Sequence, residues 1–329
     1  MSIINNTKTD PNKILPMQYP WAWNHYKTGI NNNWVPEEVP CQNDVEQWKS
    51  DDISEQERRI VMWNMGFFST AESLTANNIV LAVYRHVTDP VCRMYLLRQA
   101  FEEAVHSQMF VYICDTMGFD PDEVYRMYET IPSISKKDDF VIGLTKSIFD
   151  PTFTTEGDEN IQKFLHDLIG YYVIMEGIFF YAGFAMMLGL KRLGIFSGIG
   201  EQFEFTMRDE SVHLAFGCDL INTIRKENPQ VWTEEFEANV RKNIVHAVEL
   251  EKGYARDACP EPLMGMSAEQ FGEYVEYVTD RRLERLQMPK EFGTENPFPW
   301  LSNATDLVKE KNFFETTVTE YQSGGALDW

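Results

Sequence analysis

Two short stretches decide the fold of this chain: Glu103-Ala-Val-His106 and Glu210-Ser-Val-His213. They are two copies of Glu-x-x-His that lie 107 residues apart in a sequence with only six histidines. In a helix, positions i and i+3 lie on one face, so each copy presents a carboxylate and an imidazole together. Mixed oxygen and nitrogen ligands suit hard or borderline metal ions. Two such copies on two long helices predict a metal site inside a helical bundle.

Two isolated carboxylates complete the pattern. Glu72 lies among small and apolar neighbours, and Glu176 is the only charged residue in 168–190. Each precedes a Glu-x-x-His copy, by 31 and 34 residues respectively. In bundles with a dimetal-carboxylate site, two helices supply one Glu each and two others supply Glu-x-x-His. Four carboxylates would neutralise two divalent cations, whereas without metal so many buried like charges could not all ionise. The alternative is that Glu72 and Glu176 are solvated or paired with Lys or Arg.

The bulk composition excludes several classes of protein. The chain has 329 residues, 43% of them hydrophobic and 13% aromatic, which is typical of a globular protein. Its formal net charge of −22 argues against binding to nucleic acid or to anionic membrane surfaces. The five cysteines are widely spread and form no CxxC pair, which favours a reducing compartment. The N-terminal residues lack the apolar core of a signal peptide, so we expect a cytoplasmic protein.

The sequence divides into an arm, a helical body and a tail. Residues 1–50 are rich in Asn, Pro and Trp without a sustained period, which predicts an extended N-terminal arm. Residues 51–300 carry helical patterns and no strand-like alternation with hairpin turns, which predicts one all-α bundle domain. Residues 301–329 lose periodicity and contain Gly324-Gly325, which predicts a flexible C-terminal tail.

Capping signals place the first long helices. Ser54 and Glu57 form a capping box that opens a helix expected to run to about residue 88. Asp89-Pro90 then suits the start of a second helix, which is expected to end near Gly118. The apolar stretch 168–190 is long enough to span a bilayer. It has no flanking Lys/Arg clusters at both ends and carries a central carboxylate, so we interpret it as the buried core helix of the bundle.

Taken together, these residues resemble a known family, the small, radical-generating subunit of class I ribonucleotide reductase. The resemblance extends from Trp34 to the C-terminus and rests on Asn33-Trp34-Val35-Pro36-Glu37-Glu38-Val39, on the carboxylate and histidine pattern, and on Arg208-Asp209-Glu210-Ser211-Val212-His213. It implies a ferritin-like helical bundle that forms a homodimer, reacts with O2 and works with a separate large subunit. The dimetal ligands implied by the resemblance are Glu72, Glu103, His106, Glu176, Glu210 and His213.

Further roles follow from the same resemblance. Trp34 and Asp209 would form a hydrogen-bonded chain to His106 that carries an electron and a proton between the metal site and the surface. Without the resemblance, Trp34 would be interpreted as a packing anchor and Asp209 as a group that orients a metal-bound histidine. Glu102 points about 100° away from Glu103 on the helix, so an outer-shell or solvent-facing position is expected.

The sequence departs from most of the family at two positions. Phe110 lies one helical turn after His106, where most members have a tyrosine that stores the oxidising equivalent as a phenoxyl radical. Position 72 carries Glu rather than the commoner Asp. Both departures resemble the tyrosine-free subclass Ic, in which a mixed manganese–iron centre holds the oxidant. A Mn/Fe cofactor is therefore preferred, with Fe/Fe or Mn/Mn as alternatives, because this ligand set alone does not select the metal.

The tail contains aromatic residues that suit docking on a partner. By resemblance, Tyr321 relays the radical to the large subunit, and the last residues, which end in Trp329, bind that subunit. A frayed terminus with incidental aromatic residues is the alternative. Two rival functions share the metal ligands: a ligand-binding dimetal oxidase that is active alone, and a ferritin-like metal-storage protein. Histidines outside the two motifs are expected to be surface or hydrogen-bonded core residues.

Overall fold

A computed structural model describes residues 2–5, 13–74, 80–263 and 265–301. Within these ranges the secondary structure is helical, and extended pairing is limited to the isolated bridges Ile4–Val87 and Leu263–Met266. The prediction of an all-α protein is therefore confirmed. Four helical segments surround the predicted site, and the remaining helices pack around them.

The prediction of an extended arm over residues 1–50 was wrong for two stretches, which form helices. Helix α1 (Pro20–Asn31) packs against the later helices α5 and α12, and α2 (Gln42–Lys49) follows a short 3-10 turn. The buried residues of α1 are Ala22 and Gly29. A Cβ on Gly29 would lie 2.7 Å from Glu102 Oε1. Trp21 of the same helix packs against Phe216 of α12, so small and aromatic residues share the inward face.

The predicted caps form at the first two bundle helices. Helix α3 (Glu55–Leu74) begins with the capping box, in which the Ser54 N–H donates to Glu57 Oε2 at 2.7 Å. Helix α4 (Val80–His86) occupies the end of the region expected to be one helix, and residues 75–79 lie outside the described part. Helix α5 (Pro90–Met117) starts where Asp89 Oδ1 accepts two backbone N–H bonds of 2.9 Å, and it ends at Gly118 with φ +69°.

Four short helices connect the two halves of the bundle. In chain order they are α6 (Pro121–Tyr125), α7 (Met127–Thr130), α8 (Pro132–Leu144) and α9 (Lys146–Phe149). Helix α8 packs against the long apolar segment that follows and against the later helix α13. Through these contacts α8 brings side chains to the apolar segment that carries Glu176.

The apolar stretch forms a rod of three successive helical segments, and the hydrogen bonding of the middle segment was not predicted. It consists of α10 (Asp158–Leu168), a π-helix here named π1 (Ile169–Phe179), and α11 (Tyr181–Arg192). Its 18-residue apolar window is wholly buried, so the prediction of a core helix is confirmed. The i→i+5 hydrogen bonding of π1 was not predicted, because the apolar pattern of a fully buried helix carries no signal for its hydrogen-bond period.

Three long helices complete the described structure: α12 (Ser197–Glu227), α13 (Glu234–Ala258) and α14 (Ala268–Arg285). Helix α12 packs closely on π1 and α11. The approach of α12 to π1 requires glycine at position 217, because a Cβ there would lie 2.1 Å from the ring of Tyr172. Helices α13 and α14 cover the other side of π1, which is buried along its whole length.

Candidate metal centre

The structure brings all six predicted metal ligands together in the centre of the bundle. Glu72 comes from α3, Glu103 and His106 from α5, Glu176 from π1, and Glu210 and His213 from α12; this set is fully buried. Six ionisable side chains without solvent contact are costly unless they compensate one another or bind cations. The cluster is therefore the strongest candidate for a functional site among the described residues.

The six residues form two overlapping ligand groups. One group is Glu72, Glu103, His106 and Glu210, and the other is Glu103, Glu176, Glu210 and His213, with ligand atoms within 4.8 Å of one another in each. Glu103 and Glu210 belong to both groups. Such shared carboxylates can bridge two cations, while each cation keeps one histidine and one terminal Glu of its own.

The inward-facing histidine nitrogens show this two-fold arrangement in distances. His106 Nδ1 lies 3.1 Å from Glu210 Oε1 and 3.5 Å from Glu103 Oε2. His213 Nδ1 lies 3.1 Å from Glu103 Oε1 and 3.3 Å from Glu210 Oε2. Each of the two shared carboxylates thus reaches one histidine with each of its oxygens. This is the arrangement expected of a pseudosymmetric pair of metal positions.

Unpartnered buried atoms support a fit to metal. Within the described residues, several ligand atoms have no partner with hydrogen-bond geometry: both oxygens of Glu72, Glu103 Oε2, His106 Nδ1, Glu176 Oε2 and Glu210 Oε1. Buried polar atoms left without a partner are rare because each one carries a desolvation cost. Carboxylate oxygens and imidazole nitrogens are also the donors that manganese, iron and similar divalent ions accept. The donor set therefore fits two divalent metal ions.

The pKa shifts of the cluster residues also support a fit to metal. Burial, reinforced by neighbouring carboxylates, raises the pKa of Glu72 and Glu176 well above the usual range. The pKa values of His106 and His213 are also raised, because the surrounding carboxylates outweigh the opposing effect of burial. A raised pKa favours the protonated form of each of these four groups when no metal is bound. Two divalent cations would displace those protons.

Each metal-facing histidine is oriented by a carboxylate on the opposite helix. Asp209 Oδ2 lies 3.5 Å from His106 Nε2, and Glu102 Oε2 lies 2.9 Å from His213 Nε2. Both carboxylates directly precede the Glu of a Glu-x-x-His copy. The solvent-facing alternative for Glu102 is wrong, because Glu102 is only 3% exposed and its carboxylate contacts His213. The sequence signal that could have indicated its role is the repeated acidic residue before each motif.

The predicted chain from His106 to Trp34 is present in the structure. The Trp34 indole Nε1 donates to Asp209 Oδ2 at 2.7 Å, and this same oxygen contacts His106. Arg208 Nη2 lies 3.2 Å from Asp209 Oδ1. Trp34 is buried to 4% exposure. On the Glu102 side, the carboxylate instead pairs with Arg98 Nε at 2.9 Å, so the two halves of the site differ in what lies beyond the histidine.

A hydrogen-bond network on the Glu176 side was missed by the sequence reasoning. Gln99 Nε2 donates to Tyr171 Oη at 2.8 Å and lies 3.3 Å from Glu176 Oε1. Tyr172 Oη donates to Gln99 Oε1 at 3.0 Å. Gln99 precedes Glu103 by four residues, so it lies on the same face of α5. That spacing was the available signal.

Phe110 lies in a wholly aromatic part of the core. It is fully buried, with ring centroids 6.3 Å from Phe68 and 5.9 Å from Phe203. No hydroxyl is carried by any of these three rings. Tyr321, in contrast, falls in residues 302–329, outside the described part of the chain.

The other four histidines make ordinary contacts away from the cluster. His25 Nε2 pairs with Asp219 at 2.8 Å and His166 Nε2 contacts Asn243 at 2.9 Å. His86 and His246 pack edge-on against aromatic rings. Within the described ranges, none of the four joins a group with metal-ligand spacing.

Comparisons with known proteins give a consistent assignment. A family model described as "Ribonucleotide reductase, small chain" matches residues 11–297. The chain is 51% identical over 327 residues to the ribonucleoside-diphosphate reductase subunit beta of Chlamydia pneumoniae, covering 99% of this chain and 94% of that one. The ribonucleotide reductase R2 subunit of Clostridium botulinum superposes with a TM-score of 0.83 at 26% identity, over 93% and 94% of the two chains. The Rnr4 homodimer structure from Saccharomyces cerevisiae, at 21% identity, shares the fold, with a TM-score of 0.72 over 94% and 89%.

Proposed function

This chain belongs to the small-chain family of ribonucleotide reductases, and we propose that its buried cluster holds two metal ions that provide the oxidant for nucleotide reduction. It is the small, or beta, subunit of a ribonucleoside-diphosphate reductase and has a ferritin-like fold. Small subunits of this family work with a large subunit and form homodimers. The finer statements below concern the metals, the residues that serve them and the surfaces that meet partners.

One observation carries the proposal: Glu103 and Glu210 each contact both inward-facing histidines. Glu72 and Glu176 add one terminal carboxylate to each position. When bound, a dimetal centre of this kind supplies one-electron oxidising power after reaction with dioxygen. The protein side chains fix the spacing of the two ions, and the surrounding core excludes water.

We further propose that Asp209 and Trp34 connect this centre to the protein surface. Asp209 accepts a hydrogen bond from Trp34 and contacts His106. Its carboxylate can therefore bind a proton between the indole and imidazole rings. Tyr321 would complete the relay to the large subunit, where oxidation of a cysteine to a thiyl radical begins nucleotide reduction. The large subunit would hold the nucleotide.

For the metals, we propose a mixed Mn/Fe pair. Phe110 supports this choice because its ring has no O–H to lose and its described aromatic neighbours are phenylalanines, so a phenoxyl radical cannot form there. Glu72, in place of an aspartate, is the second support. Fe/Fe and Mn/Mn pairs are the alternatives, because the same oxygen and nitrogen donors accept all of these ions.

A candidate homodimer surface lies on α5, on the face opposite the metal ligands. Leu97, Phe101 and Val111 are each about half exposed, and Ala104 and Gln108 continue the row with heptad-like spacing. An exposed apolar row on a long helix indicates a contact surface. The tail, residues 301–329, is proposed to dock on the large subunit. A cytoplasmic location is proposed from the five thiols, none of which forms a disulfide.

The proposal is tested by reconstitution. Metal-free protein is loaded with Mn(II) and Fe(II), exposed to oxygen and combined with the large subunit from the same source. We expect ribonucleoside diphosphate reduction, one Mn and one Fe per chain, and no tyrosyl signal near neutral g in electron paramagnetic resonance.

Tyr321→Phe should abolish reduction, whereas Tyr128→Phe, at an exposed tyrosine elsewhere, should not. Activity with two irons and no manganese would overturn the metal assignment. Oxidation of a substrate by this chain alone would favour a dimetal oxidase.

A further inference from the structure

The buried rod that carries Glu176 is interrupted at Phe180, where π1 ends and α11 begins. A helix end leaves backbone carbonyls and N–H groups without partners inside the helix. At this interruption both kinds of group arise deep in the core, where water cannot satisfy them. Charged side chains from three neighbouring helices meet them instead: Lys137 of α8, Glu251 of α13 and Arg282 of α14.

The signs of these charges match the two helix ends. Lys137 Nζ donates to the Phe179 carbonyl at 2.9 Å, and Arg282 Nε donates to the Gly177 carbonyl at 3.1 Å. Both cations thus lie at the C-terminal end of π1. On the other side, Glu251 Oε1 accepts from the Ala182 N–H at 3.1 Å, which places an anion at the N-terminal end of α11. Cations at C-termini and anions at N-termini are the favourable arrangement for helix dipoles.

Lys137 and Glu251 also form an ion pair, with Lys137 Nζ 2.6 Å from Glu251 Oε2. Both side chains are completely buried, and the ammonium lies 3.4 Å from the ring centroid of Phe67. A buried ion pair is poor evidence for stability, because apolar residues of similar volume are often equally stabilising or more so. What apolar residues could not do is satisfy the Phe179 carbonyl and the Ala182 N–H. The pair therefore fixes where the interruption lies.

The position of the interruption matters because Glu176 immediately precedes Gly177 and lies three residues before Phe179. A one-residue shift in the register of π1 would rotate its side chains by roughly 100° about the helix axis. The Glu176 carboxylate would then leave the ligand group that it shares with His213. We propose that Lys137 and Glu251, together with Arg282, are positioning residues that hold Glu176 in register and so define one of the two metal positions. This inference rests on the proposed dimetal centre.

The test is a Mn(II) titration of metal-free full-length protein, followed by calorimetry and electron paramagnetic resonance. Lys137→Met/Glu251→Gln removes both charges at similar volume. Wild-type protein should bind two Mn(II) per chain and give the broadened spectrum of a coupled pair. The variant should bind one ion normally and the other roughly tenfold more weakly or worse, the usual scale for groups that orient ligands. Its spectrum at one equivalent should be that of isolated Mn(II).

Two further variants make the outcome specific. Lys252→Met/Glu276→Gln removes another Lys–Glu pair, between α13 and α14, and should leave both metal affinities unchanged. Arg282→Met removes the contact to the Gly177 carbonyl and a cation–π contact with Tyr181 but leaves the Lys137–Glu251 pair in place. It should weaken the same single position, which also tests the idea if the Lys137 variant does not fold. Lys137→Arg keeps the positive charge and should give the same coupled spectrum as wild-type protein. Wild-type affinities in both test variants, or equal weakening of both positions, would overturn the inference. Wild-type protein that fails to bind two ions would instead overturn the proposed metal centre.

Discussion

Trp34 donates a 2.7 Å hydrogen bond to Asp209, although the two residues are 175 positions apart in the chain. The accepting oxygen is also the one nearest to His106 Nε2. A single carboxylate oxygen therefore links a buried indole to a proposed metal ligand. The matching carboxylate, Glu102, pairs with Arg98, and among the described residues no indole donates a hydrogen bond to it. The two halves of a nearly symmetric site are thus connected to different parts of the protein.

Trp34→Phe should separate electron transfer from metal binding. The change removes the indole N–H without touching His106, so the metal content of the protein should remain that of wild type. Reduction of ribonucleoside diphosphates with the large subunit should fall by at least roughly tenfold, the lower end of the effect of removing groups around a metal ligand. Metal analysis and the reduction assay check the two halves of this expectation. Unchanged turnover would exclude Trp34 from the relay.

Asp209→Asn and Glu102→Gln should each weaken one metal position. Each change removes the negative charge that orients one histidine, His106 or His213 respectively, and a loss of roughly 10- to 100-fold in affinity is expected. Mn(II) titration measures the effect. Only Asp209→Asn should also slow nucleotide reduction in fully metal-loaded protein, because Asp209 contacts Trp34 whereas Glu102 lies on the other half of the site. Equal kinetic effects from both substitutions would contradict the asymmetry.

Metal binding and metal-free stability should respond to pH in opposite directions. The folded-state pKa values of His106, His213, Glu72 and Glu176 are raised, so the metal-free folded state holds more protons than the unfolded chain above pH 6.5. Its free energy of unfolding should therefore fall as the pH rises above 6.5. The lowered pKa of Glu103 does not oppose this trend, since its effect lies below pH 4.5.

Mn(II) must displace these protons, so its affinity should rise over the same pH range. Urea unfolding of metal-free protein and calorimetry in buffers of different ionisation enthalpy measure the two trends. Metal binding without proton release would show that the cluster is already deprotonated before loading. In that case the raised pKa values would not describe the free protein.

Phe110→Tyr should destabilise the metal-free protein. The new hydroxyl would lie in a fully buried aromatic pocket, and a buried hydroxyl without a partner costs about 1–3 kcal/mol. Phe149→Tyr in α9 adds the same atom at a position that is 37% exposed and lies outside the proposed homodimer surface, so it should cost little. Urea unfolding of both variants provides the comparison. An equally stable Phe110→Tyr protein would indicate that the hydroxyl finds a partner, most simply one of the proposed metal ligands.

Much of the site could be predicted because its ligands follow helical spacing. The Glu-x-x-His copies specify two ligands each within one turn, and Glu72 and Glu176 are isolated carboxylates in apolar surroundings. The long helices with capping residues, such as that opened by Asp89, were likewise predictable from local chemistry. Helix α1 was not, because no side chain caps its first turn and its inward face mixes small and aromatic residues.

The sequence by itself determined the long capped helices, the six candidate ligands and the absence of a side-chain hydroxyl at Phe110. These depend on local spacing and on side-chain chemistry. Only the tertiary structure decided that Glu102 orients His213, that Gln99 reaches Glu176, and that Lys137 and Glu251 meet at the end of π1. Each of those contacts joins residues that are distant in the chain. Their geometry depends on how helices pack, and no periodicity within one helix specifies what an adjacent helix places beside it.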